Sequence, residues 1–175
     1  MKLKVLLTIL IFACTGCGRV DCQKVATIEV EIANIDKELA AADKENAKYS
    51  GGLIKALIES QIETLKQTRT MLQQKKNSWS YGINTTYTID GKPFVLPVGA
   101  KDLLPNLERE IAENKDKIRQ QQAVADQYSG GLVQALSVST LETMRQTQAM
   151  LEQRQLAIKY ELPQYLSFHA KPENK

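Results

Sequence analysis

The chain has 175 residues, 43% apolar and 25% charged, with a formal charge of +3 at neutral pH. That suffices for one domain with its own core, or for two small coupled units. The near-balanced charge gives no electrostatic footprint for nucleic acid, and the three cysteines and single histidine show no metal-ligand spacing.

The first sixteen residues read as a signal peptide. Lys2 and Lys4 form a basic start, and Val5 to Ala13 is an apolar run too short to cross a bilayer. Without those two lysines the balance is 21 basic against 20 acidic residues. The run leads into Ala13-Cys14-Thr15-Gly16-Cys17, which resembles the lipobox of bacterial lipoproteins, where a cysteine preceded by Gly or Ala becomes the lipidated first residue of the mature chain. The resemblance implies lipidation at Cys17, with Cys14 as the alternative frame. Cys14 departs from the pattern by standing where Leu is usual, and Phe12 departs from it in the competing frame. Gly18 after Cys17 resembles the sorting pattern for an outer membrane. Cys22 would remain as a lone thiol, open to incidental presence or intermolecular pairing.

Residues 17–24 form a spacer. Val25, Ile28, Ile32, Ile35, Leu39 and Ala42 then recur at steps of three and four, a coiled-coil-type seam on a helix expected over about 24–48. Carried past the YSGGL stretch (Tyr49 to Leu53), this seam becomes polar, while a new stripe starts one position later with Ile54, Leu57, Ile58, Ile62, Leu65 and Leu72. The phase break predicts a tight αα-hairpin, with Gly51 or Gly52 at positive φ and Ser50 placed to cap the second helix. A continuous helix through the glycines is the competing reading.

Residues 78–102 change character. Thr85 to Ile89 is β-branched and aromatic, Asp90-Gly91 is a two-residue turn signal, and Phe94 to Leu96 follows, so a short β-hairpin is expected over about 85–96, with Pro93 and Pro97 restricting its second strand. Trp79, Tyr81 and Tyr87 gather aromatic surface there.

From Leu104 the helical pattern returns in the same register, shifted by 79 residues. Leu104, Leu107, Ile111, Asn114, Ile118, Gln121 and Ala125 take the seam slots, and Tyr128 to Leu132 repeats YSGGL with Gly130 and Gly131 at the turn. Tyr49 to Lys76 and Tyr128 to Gln155 share 15 identical positions of 28. That is the signature of an internal duplication whose unit is one helix–turn–helix. The fourth helix, with Val133, Leu136, Leu141, Met144 and Leu151 on its stripe, should run to about Tyr160 and stop before Pro163. Residues 161–175 form the tail, in which Tyr165 to His169 reads either as a strand joining the earlier hairpin or as a frayed terminus.

The stripes of helices two and four also carry polar residues, Gln61 and Thr68 in one and Thr140 and Thr147 in the other. Buried, they must find partners and so specify pairing; partly buried, they would line a groove between the hairpins. No residue constellation supports catalysis: His169 stands alone in the tail, and the acidic residues alternate with basic ones along helix surfaces.

The expected protein is mainly α, two tandem duplicated αα-hairpins (25–77 and 103–160) forming a four-helix bundle or elongated helical hairpins, with a small β-hairpin between them. Its expected function is that of a non-enzymatic, lipid-anchored envelope module without cofactor or metal, contacting a protein partner or a second copy of itself and no nucleic acid. The alternative is a ligand-binding or inhibitory envelope protein using Gln61, Thr68, Thr140 and Thr147 or the Trp79, Tyr81 and Tyr87 region.

Overall fold

The computed structural model describes residues 22–83 and 85–164. Cys14, Cys17, the tail strand and His169 lie outside the described residues. The chain forms helices α1 (Cys22–Asn46) and α2 (Gly52–Ser80), strands β1 (Thr88–Ile89) and β2 (Lys92–Pro93), a 3-10 turn (Ala100–Leu103), and helices α3 (Leu104–Ala125) and α4 (Gly131–Lys159). The protein is thus mainly helical with one small antiparallel sheet.

Both YSGGL stretches interrupt the helices. Gly52 and Gly131 hold φ of 89° and 81°, a region in which a β-carbon is strained. Ser50 does not cap α2: Gly51 occupies the N-cap position and no side chain accepts from the first turn. Gly130 does the same for α4. The backbone there is fully extended, which carries the chain out of α1 without a serine cap.

The β-hairpin is shorter than expected. Thr88 pairs with Pro93 and Ile89 with Lys92, around Asp90 and Gly91 at φ 50° and 74°, the positive pair of a tight primed turn. The Phe94 amide adds a bond to the Tyr87 carbonyl (2.7 Å), which leaves Pro93 at a non-hydrogen-bonded position where its missing amide costs the ladder nothing. Helix α2 also runs three residues past 77, so Trp79 is helical and not part of the linker. Gly99 at φ 81° and the 3-10 turn feed α3, whose first turn holds Pro105, where a missing amide costs nothing.

The three large helix contacts are α1 on α2, α3 on α4, and α2 on α4. Gln146 Nε2 donates to Ser60 Oγ (3.0 Å) and Gln153 Nε2 to the Thr64 carbonyl (3.5 Å), so residue numbers rise together and α2 and α4 run parallel. Under the 79-residue shift Ser60 corresponds to Ser139, yet it faces Gln146. Thr64 corresponds to Thr143 yet faces Gln153, so the second helix pair is slid by seven to ten residues, on the order of 10–15 Å at 1.5 Å per residue, and the first two turns of α4 project beyond the start of α2.

The slide explains where the core sits. Ile28, Ile32 and Ile35 of α1, Leu65 and Leu72 of α2, Leu107 of α3, and Ala149, Leu156, Ala157 and Ile158 of α4 form the main cluster, with Trp79, Tyr87, Phe94 and Leu96 packed against it. A smaller cluster of Ala42, Ile58 and Ile62 fills the α1–α2 contact nearer the turn. On α4, Leu141 is buried and Met144 and Leu151 are half-buried, but Val133 and Leu136 are not on a buried stripe. They are 52% and 60% exposed, because α2 does not reach the overhanging turns.

Candidate functional site

The overhang carries an apolar strip. Leu132, Val133 and Leu136 stand at positions i, i+1 and i+4, so their side chains share one face of α4, and Leu132 is 75% exposed. Under the 79-residue shift Val133 and Leu136 correspond to Ile54 and Leu57, which are half-buried, whereas Leu132 corresponds to Leu53, which is exposed as well (67%). Val124 and Tyr128, also exposed, extend the same tip from the α3 side.

A second feature is a polar cleft of about 390 Å³ between α1 and α4, lined by Glu38, Glu45, Lys48, Gln61, Glu142, Arg145 and Gln148 among others. Its groups satisfy one another. Glu142, almost completely buried, accepts from Arg145 Nη1 (2.6 Å), and Arg145 Nη2 donates to Gln122 Oε1 (2.7 Å). Asn114 Nδ2 donates to Gln148 Oε1 (2.9 Å), whose amide donates to Glu152 Oε1 (2.7 Å). Burial raises the pKa of Glu142, with Arg145 pulling it back. Farther along, Lys115 of α3 pairs with Glu152 (2.8 Å). Glu38 of α1 faces the same pair, and its pKa is raised to about 7, first by burial and then by the Glu152 charge, with Lys115 opposing. Helices α1, α3 and α4 thus meet here through charges, beside the apolar cluster that they share. Among the described residues no group of three or more His, Cys, Asp or Glu side chains could hold a metal ion.

The third feature closes the opposite end. The Trp79 and Tyr160 rings lie 6.0 Å apart at 55°. Lys75 Nζ sits 5.6 Å from the Trp79 ring and 5.8 Å from that of Tyr87, a cation–π position for both; burial lowers its pKa. The start of α1 (Gln23, Lys24, Thr27) and the end of α4 (Lys159 to Glu161) line a 640 Å³ depression beside Trp79.

The residues singled out from sequence do not form one site. Trp79 and Tyr87 are brought together through Lys75, but Tyr81 points outward at 77% exposure. Gln61 lines the cleft. Thr68 is buried, and its hydroxyl donates to the Thr64 carbonyl one turn back (2.8 Å), so it needs no partner from another helix. Thr140 and Thr147 are exposed, and their hydroxyls donate likewise to the Leu136 and Thr143 carbonyls one turn back, so they are not buried stripe residues and need no partner from another helix. Tyr49 is half-buried and Tyr128 exposed. Residues not anticipated are Lys75 and Tyr160 at the aromatic end and Glu38, Lys115, Glu142, Arg145 and Glu152 in the cleft. Their one sequence signal is the spacing of Glu31, Glu38 and Glu45 at sevens along α1, which places them on one face.

Compared with protein-family models, with curated proteins and with solved structures, the chain matches none.

Proposed function

We propose that the chain is an internally duplicated pair of helical hairpins, carried on a lipidated Cys17 in a bacterial cell envelope and acting as a non-enzymatic interaction or scaffold module. The leader from Lys2 to Cys17 supports the address, and the repeat at 79 residues supports the duplication. No described helix is long and apolar enough to cross a membrane, so on this reading attachment comes from the lipid.

The observation that carries the interaction role is the overhanging apolar strip of Leu132, Val133 and Leu136. Three large side chains on one helix face, left uncovered beyond a filled core, make a helix-in-groove or helix-on-helix contact the best use of that tip. The cleft supports the ligand-binding alternative less well, because its buried ionic groups already pair with one another. Photocrosslinking from position 136 in intact envelopes tests the proposal. The expected result is a discrete crosslinked protein species, lost on Leu132→Asp with Val133→Asp; a species with twice the chain's mass would make the partner a second copy. Only lipid or no adduct from position 136 would refute the role.

A further inference from the structure

The aromatic end of the molecule is also the end from which the proposed anchor leaves. Cys22 opens α1, and the adjacent Gln23, Lys24 and Thr27 border the depression beside Trp79. Five residues separate Cys22 from Cys17, so a lipidated Cys17 holds this end within about 18 Å of the bilayer, at 3.3–3.6 Å per residue whatever the path. The YSGGL tips lie a helix length away, about 43 Å for the 29 residues of α4.

Apolar side chains with no packing role face outward at the anchor end. Val95 is 77% exposed, Val98 fully exposed, and Tyr81 and Ile83 77% and 60% exposed. Val95 and Val98 share a rim with Lys75 and Lys101. The Tyr87 hydroxyl nearby is buried without a hydrogen-bond partner among the described residues. Aromatic rings, outward aliphatic tips and long amphipathic lysines make a surface suited to the layer between headgroups and acyl chains, where rings sit at headgroup level and lysines extend to the polar phase.

We propose that this end, through Val95, Val98, Tyr81 and the Trp79 neighbourhood, rests in the headgroup layer of the membrane and stands the helices upright, with the α4 tip directed away from the bilayer. Net charge does not drive the contact. Lys76 pairs with Glu29 (2.7 Å), Lys159 with Glu31 (2.5 Å) and Lys101 with Glu161 (2.7 Å), so most positive charge at this end is answered locally. The apolar side chains supply the attraction, and contact should persist on phosphatidylcholine and in ~0.5 M salt, where exposed charges are screened. The inference rests on the lipidation of Cys17 proposed above for its geometry, though the surface itself can be tested without the lipid.

Trp79 is the sole tryptophan and reports on this end directly. The protein is placed on phosphatidylcholine vesicles with bromine-labelled acyl chains, both as purified from envelopes and as the Cys17→Ser chain. Trp79 fluorescence is compared with that of a far-tip reporter, Leu132→Trp in a Trp79→Phe background. The expected result is strong bromine quenching of Trp79 and little at position 132. Val95→Asp with Val98→Asp should lower vesicle partitioning of the Cys17→Ser chain at least tenfold, since burying each valine is worth about that factor. Both valines project into solvent, so folding, checked by circular dichroism, should be unchanged. Equal quenching at both positions would mean that the molecule lies flat, and an unchanged quench in the double variant would mean mere tether proximity; either overturns the proposal. Mass analysis of the envelope-purified sample reads lipidation separately, so an unmodified Cys17 with Trp79 still quenched would remove the anchor and leave the surface contact standing.

Discussion

Glu38 offers a test of how the helices are held together. Its carboxyl moves from an ordinary value of 4.5 to about 7 on folding, because α1 buries it against Glu152. A group that holds its proton more tightly when folded makes folding take up a proton between about pH 4.5 and pH 7, so stability falls as pH rises through that window, and the full penalty applies above it. A shift of this direction is worth a few kcal/mol for a fully enclosed group, at ~1.4 kcal/mol per pH unit, and partial solvent access reduces the expected effect to roughly 1–2 kcal/mol. Glu38→Gln removes the charge while keeping the shape and the hydrogen-bonding oxygen. In urea unfolding followed by circular dichroism, the variant should match the wild type at about pH 4 and exceed it by about 1–2 kcal/mol at about pH 8. Glu142, also raised by burial, contributes to the slope of both proteins and cancels in the difference. Parallel pH profiles, or a variant less stable at pH 8, would refute the approach of α1 to the Lys115–Glu152 pair.

Other substitutions probe the turns, the core and the tip. Gly52→Ala and Gly131→Ala should each destabilise by ~1–2 kcal/mol in thermal or urea unfolding, since both glycines hold positive φ. Gly51→Ala and Gly130→Ala should be close to neutral, with extended backbone and open space where the new methyl would stand. Ile58→Ala or Leu72→Ala, both side chains fully buried, should cost ~2–5 kcal/mol, whereas Leu132→Ala on the overhang should stay within about 0.5 kcal/mol. Asp36→Ala, which breaks the exposed pair with Arg69 (2.5 Å), should cost at most ~1 kcal/mol in the same assay.

Helix positions and their buried faces were legible because a heptad-like repeat is a local signal. Ile28, Ile32, Ile35, Leu107 and Ile111 on the seams, and Ile58, Ile62, Leu65 and Leu72 on the second stripe, are all buried as their spacing implies. The YSGGL glycines were legible for a related reason: a phase break needs a backbone that can leave the helix, and glycine supplies it. How one helix pair slides on the other was not legible. The 79-residue repeat suggests equivalent environments for equivalent residues, and the seven-residue offset between Ser60 and Gln146 breaks that equivalence. Val133 and Leu136 were misplaced for this reason, since they stand on the turns that α2 does not reach. The cleft was hidden because charged residues at sevens look like solvated surface until a second helix is set against them, as Glu152 is against Glu38. Trp79 and Tyr87 were picked out as a local aromatic concentration, but Lys75 and Tyr160 reach them only through the tertiary fold.

The proposed envelope role rests first on one covalent fact, the state of the cysteine at position 17. Intact mass and N-terminal peptide analysis of the protein from envelopes should find a chain that begins at Cys17 and carries acyl chains on it. A chain retaining Met1, or one with residue 17 unmodified and Cys14 equally bare, would contradict the account.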